Sequence, residues 1–523
     1  MGKNIEKLHE HPTKILEMIW KIVIVAIFFL FGQVDTLMEI IKTGKITIED
    51  KTSMIVLMVA FAVVVVLIII SIGRWRKTTL EISNNHLILH RKTVFENKKE
   101  IAIPTISNVN LEQNLFERIV GTYKIKIDTS TISTSEKNDI VFLLKEDDAF
   151  RVKNTINAIL YEEEVQTDVA INSEQDGVGK QDKNSTVNGT SWRKEDYDFS
   201  ISDFENLKCS FAEFSAIGIG AFLFLIFIAV AGLYLLGATH GDASSYIAFV
   251  VLLLSVFASV FKSSIGIWLR NYDFRVKRIR DMIYITSGAL KVRNYSVPVS
   301  KIQALQISST VFGRLMNRSS VTVLNVGGED EDVNGQWLLP AVKNTEIKGI
   351  LETILPEYQI RDDVFIKRPK RVVLLDILKG PIMTSLTFIL AYFVFVYINE
   401  HVIHMKNECF GVPVFFFVII AVYFAVAFSE SVLKVAFKQK TKGIRIESDY
   451  IVVSDGDIDR KILYVPYEKI QCIHVLKGPL LRLFKLEKGR IDILASTASR
   501  NIVIPEFDYD ILDETELKFR KTF

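Results

Sequence analysis

Cysteine is scarce in this chain of 523 residues, and its positive and negative charges nearly cancel. The three cysteines, Cys209, Cys409 and Cys472, are too few for a disulfide framework, and the formal net charge of +2 argues against a dedicated nucleic-acid-binding protein. The sequence also lacks the signatures of a P-loop, a serine hydrolase, a zinc protease and a C-x-x-C redox protein. We therefore expect no enzymatic activity, no cofactor and no nucleic-acid partner.

One short segment contains the residue types that bind a soft metal ion. Glu400, His401, His404 and Cys409 follow one another closely between two apolar runs. Histidines in such a place are more often interfacial residues at a membrane surface than metal ligands. We therefore predict no metal site.

Apolar residues are abundant: they make up 49% of the chain, and the mean hydropathy is +0.26. They gather in three pairs of runs, at 15–34 and 54–72, 214–237 and 243–261, and 380–398 and 410–429. All except the first, which carries Glu17 and Lys21, are uncharged over about 19 residues or more, enough to cross about 30 Å of hydrocarbon. The runs predict three transmembrane helical hairpins, and the alternative is a helical core buried inside globular domains.

Basic residues predict how these hairpins are oriented. They concentrate beside the cytoplasmic ends expected for the second, fourth and sixth runs: Arg74, Arg76 and Lys77; Arg270, Arg275, Lys277, Arg278 and Arg280; Lys434, Lys438, Lys440 and Lys442. The loops inside the pairs carry few basic residues, and acidic residues are mixed with them. We therefore expect a multi-pass protein with both termini and all domains outside the membrane in the cytoplasm.

A motif recurs after each pair of runs. It spans 297–315 and 465–483 in gap-free register, with a looser copy at 101–119. The copies share a proline, an isoleucine that opens a strand-like stretch, and an arginine in the loop that follows: Pro104, Pro298 and Pro466; Ile106, Ile302 and Ile470; Arg118, Arg314 and Arg482. Pro104 is displaced by two places. Repetition of this kind predicts one structural unit used three times.

Alternating apolar residues surround each motif, and a helical pattern closes each unit. Asn84-Asn85 predicts a tight turn between two strands, and Ser287-Gly288 and Asp455-Gly456 predict turns in the second and third units. Residues 149–161 have helical spacing. Several short strands followed by one helix are typical of a small β-barrel or sandwich capped by that helix.

The motif resembles a known family. Val/Ile-Pro-x-x-x-Ile-x-x-Leu/Ile-x-Ile/Val followed by Phe/Leu-x-Arg-Leu/Ile is similar to the bacterial pleckstrin-homology-like (PH-like) membrane proteins of the YdbS/YdbT type, and three units look like the larger, YdbT-like member. The resemblance covers essentially the whole chain outside 162–205, and the first copy departs most because it lacks proline at position 102. The resemblance implies two near-orthogonal antiparallel sheets closed by a helix, a smaller YdbS-like companion with one hairpin, and a role in resistance to envelope-active antimicrobials. It brings no catalytic residues.

The predicted fold class is a polytopic α+β membrane protein in which each of three transmembrane hairpins precedes a cytoplasmic PH-like barrel or sandwich capped by a C-terminal helix. The resemblance places the protein in the cytoplasmic membrane of a bacterium. The predicted segments are a lead and first hairpin (1–73), a first PH-like domain (74–164), a flexible linker (165–205), a second hairpin (206–269) and domain (270–360), and a third hairpin (361–433) and domain (434–523).

The repeated arginines are the candidate contact residues for lipid or a partner. Arg118, Arg314 and Arg482 each lie beside apolar residues, so a basic and apolar loop tip could contact lipid headgroups. The alternative is that the arginine ties the loop to the barrel. Lys301 and Lys469, just before the motif isoleucine, carry the same two interpretations.

Two functions follow from the sequence as hypotheses. The first is a non-enzymatic membrane scaffold that assembles with a smaller YdbS-like protein, or with further copies of itself, and supports envelope homeostasis or antimicrobial resistance. The alternative is a protein that binds or transfers membrane lipids. Membrane lipids are expected partners in both cases.

Overall fold

The computed structural model describes residues 5–17, 19–20, 24, 48–92, 96–129, 140–172, 197–214, 250, 265–325, 336–361, 364–398, 400–401, 408–409, 412–494 and 500–522. The chain divides into two compact units. The first contains Met1–Thr131, Glu136–Ser191 and Arg293–Tyr295, and the second contains Ile132–Ser135, Trp192–Val292 and Ser296–Phe523.

The first unit contains the first repeat. In chain order its elements are β1 (Ile5–His9), α1 (Ile48–Arg76), β2 (Thr78–Ser83), β3 (His86–Lys92), β4 (Glu96–Ala102), β5 (Ile106–Asn114), α2 (Leu115–Val120), β6 (Thr122–Thr129), β7 (Ile140–Lys145) and α3 (Glu146–Asn172). Strands β1 to β4 form an antiparallel sheet in that order, and β6 pairs antiparallel with β5 and with β7. The repeat is therefore two groups of strands followed by a helix.

Local sequence explains two elements of this unit. Asn84 and Asn85 both have positive φ, 53° and 63°, which asparagine tolerates and which a two-residue hairpin turn requires, so the predicted turn is confirmed. Helix α3 buries Val152, Ile156 and Ile159 at helical spacing against the strands, which confirms the predicted helix. It continues to Asn172, into the segment predicted as a linker.

The second unit contains the second and third repeats. Its elements are β8 (Phe199–Ser200), α4 (Asp203–Ala212), β9 (Arg275–Ile279), β10 (Met282–Ser287), β11 (Lys291–Pro298), β12 (Ile302–Ser309), α5 (Val311–Leu315), β13 (Arg318–Asn325), β14 (Gln336–Lys343), α6 (Asn344–Ile354), β15 (Ile366–Lys367), α7 (Val372–Ile377), a π-helical turn (Leu378–Ile382), α8 (Met383–Ile398), β16 (Glu408–Cys409), β17 (Val412–Pro413), α9 (Val414–Thr441), β18 (Gly443–Ile446), β19 (Tyr450–Asp455), β20 (Arg460–Pro466), β21 (Ile470–Leu476), α10 (Pro479–Leu483), β22 (Leu486–Ile493), β23 (Arg500–Asp508) and α11 (Tyr509–Thr522). Elements β8 and α4 both begin inside the stretch predicted as a linker.

One sheet of this unit joins two repeats. Its strand order is β14-β13-β12-β20-β19-β18-β15, so strands of the second repeat continue directly into strands of the third. At the junction β12 and β20 are antiparallel, with Leu305 opposite Tyr464 and Ser309 opposite Arg460. Strands β21, β22 and β23 form a separate sheet.

This shared sheet is a feature that the sequence analysis did not predict. Each PH-like domain was expected to be a separate small barrel or sandwich, and β12 in addition forms hydrogen bonds with a strand of the next repeat. The physical reason is that alternating apolar residues specify the faces of a strand but not which strand lies beside it.

The polytopic architecture is also not what the described residues show, and the prediction of three transmembrane hairpins is wrong for them. Among these residues the structure combines 23 β-strands with helices, and one helical stretch, Val372–Ile398, is long and apolar enough to cross a membrane. Most of the runs 15–34, 214–237 and 243–261 lie outside the described residues. An apolar run can be long enough for a membrane span, but its length does not determine what surrounds it. Val372 and Leu375, at the start of this stretch, pack against Leu486 of the third domain.

Candidate membrane-contact site

Three short helices occupy the same place in the three repeats. Helices α2, α5 and α10, here called the loop helices, each connect the first and second strands of the motif half of a repeat. Their starts are fixed by different local devices. Asn114 and Glu117 form a capping box in the first, the Thr310 side chain accepts a hydrogen bond from Gly313 N–H in the second, and Pro479 begins the third. The residues directly before the three helices, Asn114, Thr310 and Gly478, nevertheless share an extended backbone conformation.

Each loop helix exposes an apolar residue at the same position. Directly after the repeated arginine stand Ile119, Leu315 and Leu483, which are 84%, 78% and 76% exposed. Other large apolar side chains beside them are exposed as well: Leu115, Phe116, Met316 and Leu480. Exposed apolar residues gathered beside basic ones are typical of a surface that contacts lipid or protein.

The repeated arginines do not share one environment. The Arg314 guanidinium donates a hydrogen bond to the Ile458 carbonyl and lies over the Phe437 ring, 5.4 Å from its centroid. Arg118 and Arg482 are exposed. The contacts of Arg314 fit the interpretation that it ties its loop to the fold, and a lipid or partner contact stays a prediction for all three.

The motif prolines and isoleucines have structural positions. Ile106, Ile302 and Ile470 are buried and begin β5, β12 and β21. A 3-10 turn precedes each of these strands, at Ile103–Thr105, Val299–Lys301 and Tyr467–Lys469. Pro298 and Pro466 precede their turns, whereas Pro104 lies within its own, which accounts for its displacement in the sequence.

The repeated lysines lie at the far end of the motif strand from the loop helices. Lys301 ends the turn before β12, whereas Arg314 follows that strand, so about 25 Å of extended chain separates them. Lys469 Nζ lies 3.5 Å from the Ser300 carbonyl oxygen and 3.7 Å from Glu468 Oε1. The lysines and arginines therefore do not form a single site, and a lipid or partner contact by the lysines stays a prediction.

An apolar groove accompanies the second loop helix. It has a volume of about 540 Å³ and lies between α4 and α5, lined by Leu207, Lys208, Phe211, Phe214, Phe312 and Met316. Helix α4 also exposes Phe204 on the surface.

The sequence prediction missed α4 because the segment was divided between a linker and a hairpin. The spacing of Phe204, Leu207 and Phe211, which repeats every three or four residues, is the signal that could have found it.

Polar contacts, several of them made by the buried Arg318, hold α4 in place. The Arg318 guanidinium donates to the Glu205 carboxylate and, over 3.2 Å, to the Ala341 carbonyl. Hydrogen bonds from Lys208 and Arg318 lower the pKa of Glu205 to about 2, so this carboxylate stays charged at neutral pH. Thr310 Oγ1 donates to the Ala212 carbonyl and joins the end of α4 to the start of α5. The groove is therefore built on two anchored helices.

The segment that contained the possible metal ligands is only partly described. His401 Nδ1 lies 3.0 Å from the Tyr397 carbonyl oxygen, and His404 lies outside the described residues. Among the residues that the structure does describe, no group of three or more potential ligands could hold a metal ion.

Comparison with known proteins identifies the family. The family described as "Bacterial PH domain" matches residues 26–159, 215–356 and 385–521. The chain belongs to this family and carries its domain three times, as the motif predicted. A curated relative, the UPF0699 transmembrane protein YdbT of Bacillus subtilis (strain 168), is 21% identical over 314 residues. The match spans 57% of this chain and 60% of that relative, and no solved structure matches.

Proposed function

We propose that the protein is a non-enzymatic, membrane-associated scaffold. In this proposal the loop helices contact the lipid surface and the strands of the PH-like repeats bind a partner protein. The observation that carries it is the recurrence of a highly exposed apolar residue at Ile119, Leu315 and Leu483. The name of the relative YdbT, a transmembrane protein, supports the membrane association. A smaller YdbS-like partner and a role in envelope homeostasis or antimicrobial resistance belong to the proposal as well.

A fluorescent label at position 315 tests the membrane contact. Leu315→Cys in a Cys409→Ser, Cys472→Ser background gives one reactive thiol, because burial raises the pKa of the Cys209 thiol to about 12 and keeps it protonated. In vesicles of phosphatidylglycerol and brominated phosphatidylcholine, we expect about threefold quenching of the label, since a contacting side chain enters the boundary of the acyl chains.

Leu517→Cys in α11 is the matched control. Leu517 is also exposed and apolar but lies outside the loop helices, so its label should be quenched weakly. Equal quenching at 315 and 517 would show that α5 has no special contact with lipid and would remove the main support for the proposal.

The groove beside α5 supports a second candidate function, lipid binding. Its lining is almost wholly apolar, its volume of about 540 Å³ suits an acyl chain, and Lys208 at its side could pair with a phosphate. This candidate predicts that the purified protein retains lipid in a fixed ratio.

Phe211→Arg tests the groove. Phe211 lines it, so a charged side chain there should reduce the retained lipid about tenfold, measured by mass spectrometry of the detergent-purified protein. Phe204→Arg is the control, because Phe204 is exposed on the same helix and does not line the groove. If both variants retain as much lipid as the unmodified protein, the groove is not a lipid site.

A further inference from the structure

Equivalent strands of the second and third repeats differ in their neighbours. Strand β12 is paired on both sides, with β13 and with β20 of the next repeat. Strand β21 holds the same place in the third repeat, with Ile470 where β12 has Ile302. In the part of the chain that the structure describes, β21 forms the edge of its sheet and pairs only with β22.

The free edge of β21 lacks the usual protection. Its sequence, Ile-Gln-Cys-Ile-His-Val-Leu, contains no lysine, arginine, acidic residue or proline. Soluble proteins generally place charges or proline on exposed edge strands, because an apolar edge pairs with other chains. Strand β4, the edge of the sheet in the first unit, follows that rule: it contains Lys98, Lys99 and two glutamates.

Side chains of β21 are exposed at positions that are buried in β12. Gln471 and Cys472 are exposed, whereas the equivalent Gln303 and Ala304 are buried. At the end of the strand, Leu476 is 49% exposed. The difference matches the strand β20 beside β12 and the lack of a second neighbour of β21 among the described strands.

We propose that β21 is the docking edge for a bacterial PH repeat on a separate polypeptide. The occupant is the strand of that repeat equivalent to β20, which adds antiparallel in the register that β20 adopts on β12. This rests on the proposed scaffold function and gives it a partner surface: the second repeat offers an edge strand that the third repeat completes, and the equivalent edge of the third repeat is the one that the other protein would complete.

The charges disfavour a second copy of this chain as the occupant. The first-unit strand in the place of β20 is β4. In the same register β4 would put Lys98 opposite Val475 and Lys99 opposite His474. Enclosing Lys98 beside the apolar Val475 is costly, and neither lysine would have an acidic residue of β21 opposite it. A partner strand with apolar residues at those positions, as β20 has in Ile462 and Leu463, fits better.

Cys472 allows a direct test of the register. It is a free, exposed thiol in β21, and by equivalence with β12 it would face the position that Val465 occupies in β20. The probe is a synthetic peptide with the sequence of Arg460–Pro466 carrying Val465→Cys. Opposed residues of paired strands lie about 5 Å apart, within reach of a disulfide, whereas a cysteine three places away lies about 10 Å off.

Each peptide is supplied as a mixed disulfide with an aromatic thiol, which the Cys472 thiolate displaces as the leaving group. We expect the Val465→Cys peptide to form its disulfide with the full-length, detergent-solubilised protein about tenfold faster than an Ile462→Cys peptide does. Cys472→Ser protein gives the background from the other cysteines. Equal rates for the two peptides, or no adduct above that background, would overturn the docking edge. The label at position 315 would still report on membrane contact, so the two proposals fail separately.

Oxidation of native membranes identifies the natural occupant. A disulfide from Cys472 to a different polypeptide that contains a bacterial PH repeat, mapped to its β20-equivalent strand by mass spectrometry, would support the proposal. A disulfide between two copies of this chain would overturn the assignment of a separate protein as the occupant.

Discussion

Replacing Arg368 with methionine should lower the free energy of unfolding of the second unit by about 3–5 kcal/mol, because it leaves two carboxylates without their cation. The Arg368 side chain is 1% exposed, and its guanidinium donates to Asp376 over 3.0 Å and to Glu506 over 2.7 Å. These contacts join the start of the apolar stretch at α7 to the last sheet of the third repeat. Urea titration in detergent, followed by tryptophan fluorescence, measures the change.

Arg371→Met is the matched control for Arg368. Arg371 lies three residues further on and pairs with Asp508, but the two side chains are 43% and 45% exposed. Water screens such a pair, so its loss should cost less than about 1 kcal/mol. Adding Asp376→Asn and Glu506→Gln to Arg368→Met should recover part of the lost stability. Similar losses for the Arg368 and Arg371 variants would show that the buried pair is not what holds α7.

The loss at Arg368 should depend on pH. Burial raises the pKa of the Glu506 carboxyl, but the Arg368 guanidinium, a backbone hydrogen bond and the charges of Lys488 and Lys379 together outweigh it, so the net pKa lies below the ordinary value of 4.5. A carboxyl with a lowered pKa stabilises the fold above the pKa of the unfolded chain, and that contribution is lost as the pH falls through the folded pKa. The difference between Arg368→Met and the unmodified protein should therefore be largest above pH 4.5 and shrink in more acidic solution.

Local features of the fold could be predicted from the sequence. The Asn84-Asn85 turn depends on two residues that tolerate positive φ, and helix α3 depends on apolar spacing within one segment. The burial of Ile106, Ile302 and Ile470 follows from repetition and alternation within each strand. All of these signals lie within a short stretch of chain, where propensity and pattern act directly.

The pairing of strands could not be predicted in the same way. Strands β12 and β21 have similar sequences and the same place in their repeats, yet β12 lies beside β20 whereas β21 is an edge strand among the described residues. The difference arises because a further repeat follows the second one and none of the described strands follows the third in that role. The strands that decide this pairing are distant in the sequence, so the residues around β21 do not reveal it.

The candidate membrane-contact site also shows that local sequence predicts position better than contacts. Ile119, Leu315 and Leu483 share sequence position and exposure, so repetition alone points to them. Arg118, Arg314 and Arg482 share sequence position but not surroundings, because the partners of Arg314, Ile458 and Phe437, come from the next repeat. An equivalent position in a repeat predicts where a residue lies in the domain. The contacts of its side chain depend on neighbouring residues, which can come from another repeat.

Replacing Gly456 with alanine should destabilise the second unit by about 3 kcal/mol or more, because the turn before β20 has no space for a methyl group. Gly456 has a φ of +121°, and a Cβ there would lie 1.9 Å from the Asp459 carbonyl oxygen. Gly288, its equivalent in the second repeat, has a φ of +115° and would meet the Lys291 carbonyl oxygen at 2.0 Å. Both atoms belong to the backbone, so neither can move aside without distorting the turn. Urea titration should therefore show a loss for Gly288→Ala as well.

Gly349→Ala separates this steric effect from a general response to alanine. Gly349 lies within helix α6, and a Cβ there meets nothing within 4 Å, so alanine should raise the free energy of unfolding by about 0.4–1 kcal/mol. If Gly456→Ala also left the stability unchanged or raised it, the turn would not be strained as described. The turn at Gly456 leads into β20, which lies at the centre of the shared sheet and pairs with β12 at the junction between the second and third repeats. A distorted turn therefore disturbs the strand on which that junction is built, in addition to the strain at Gly456 itself.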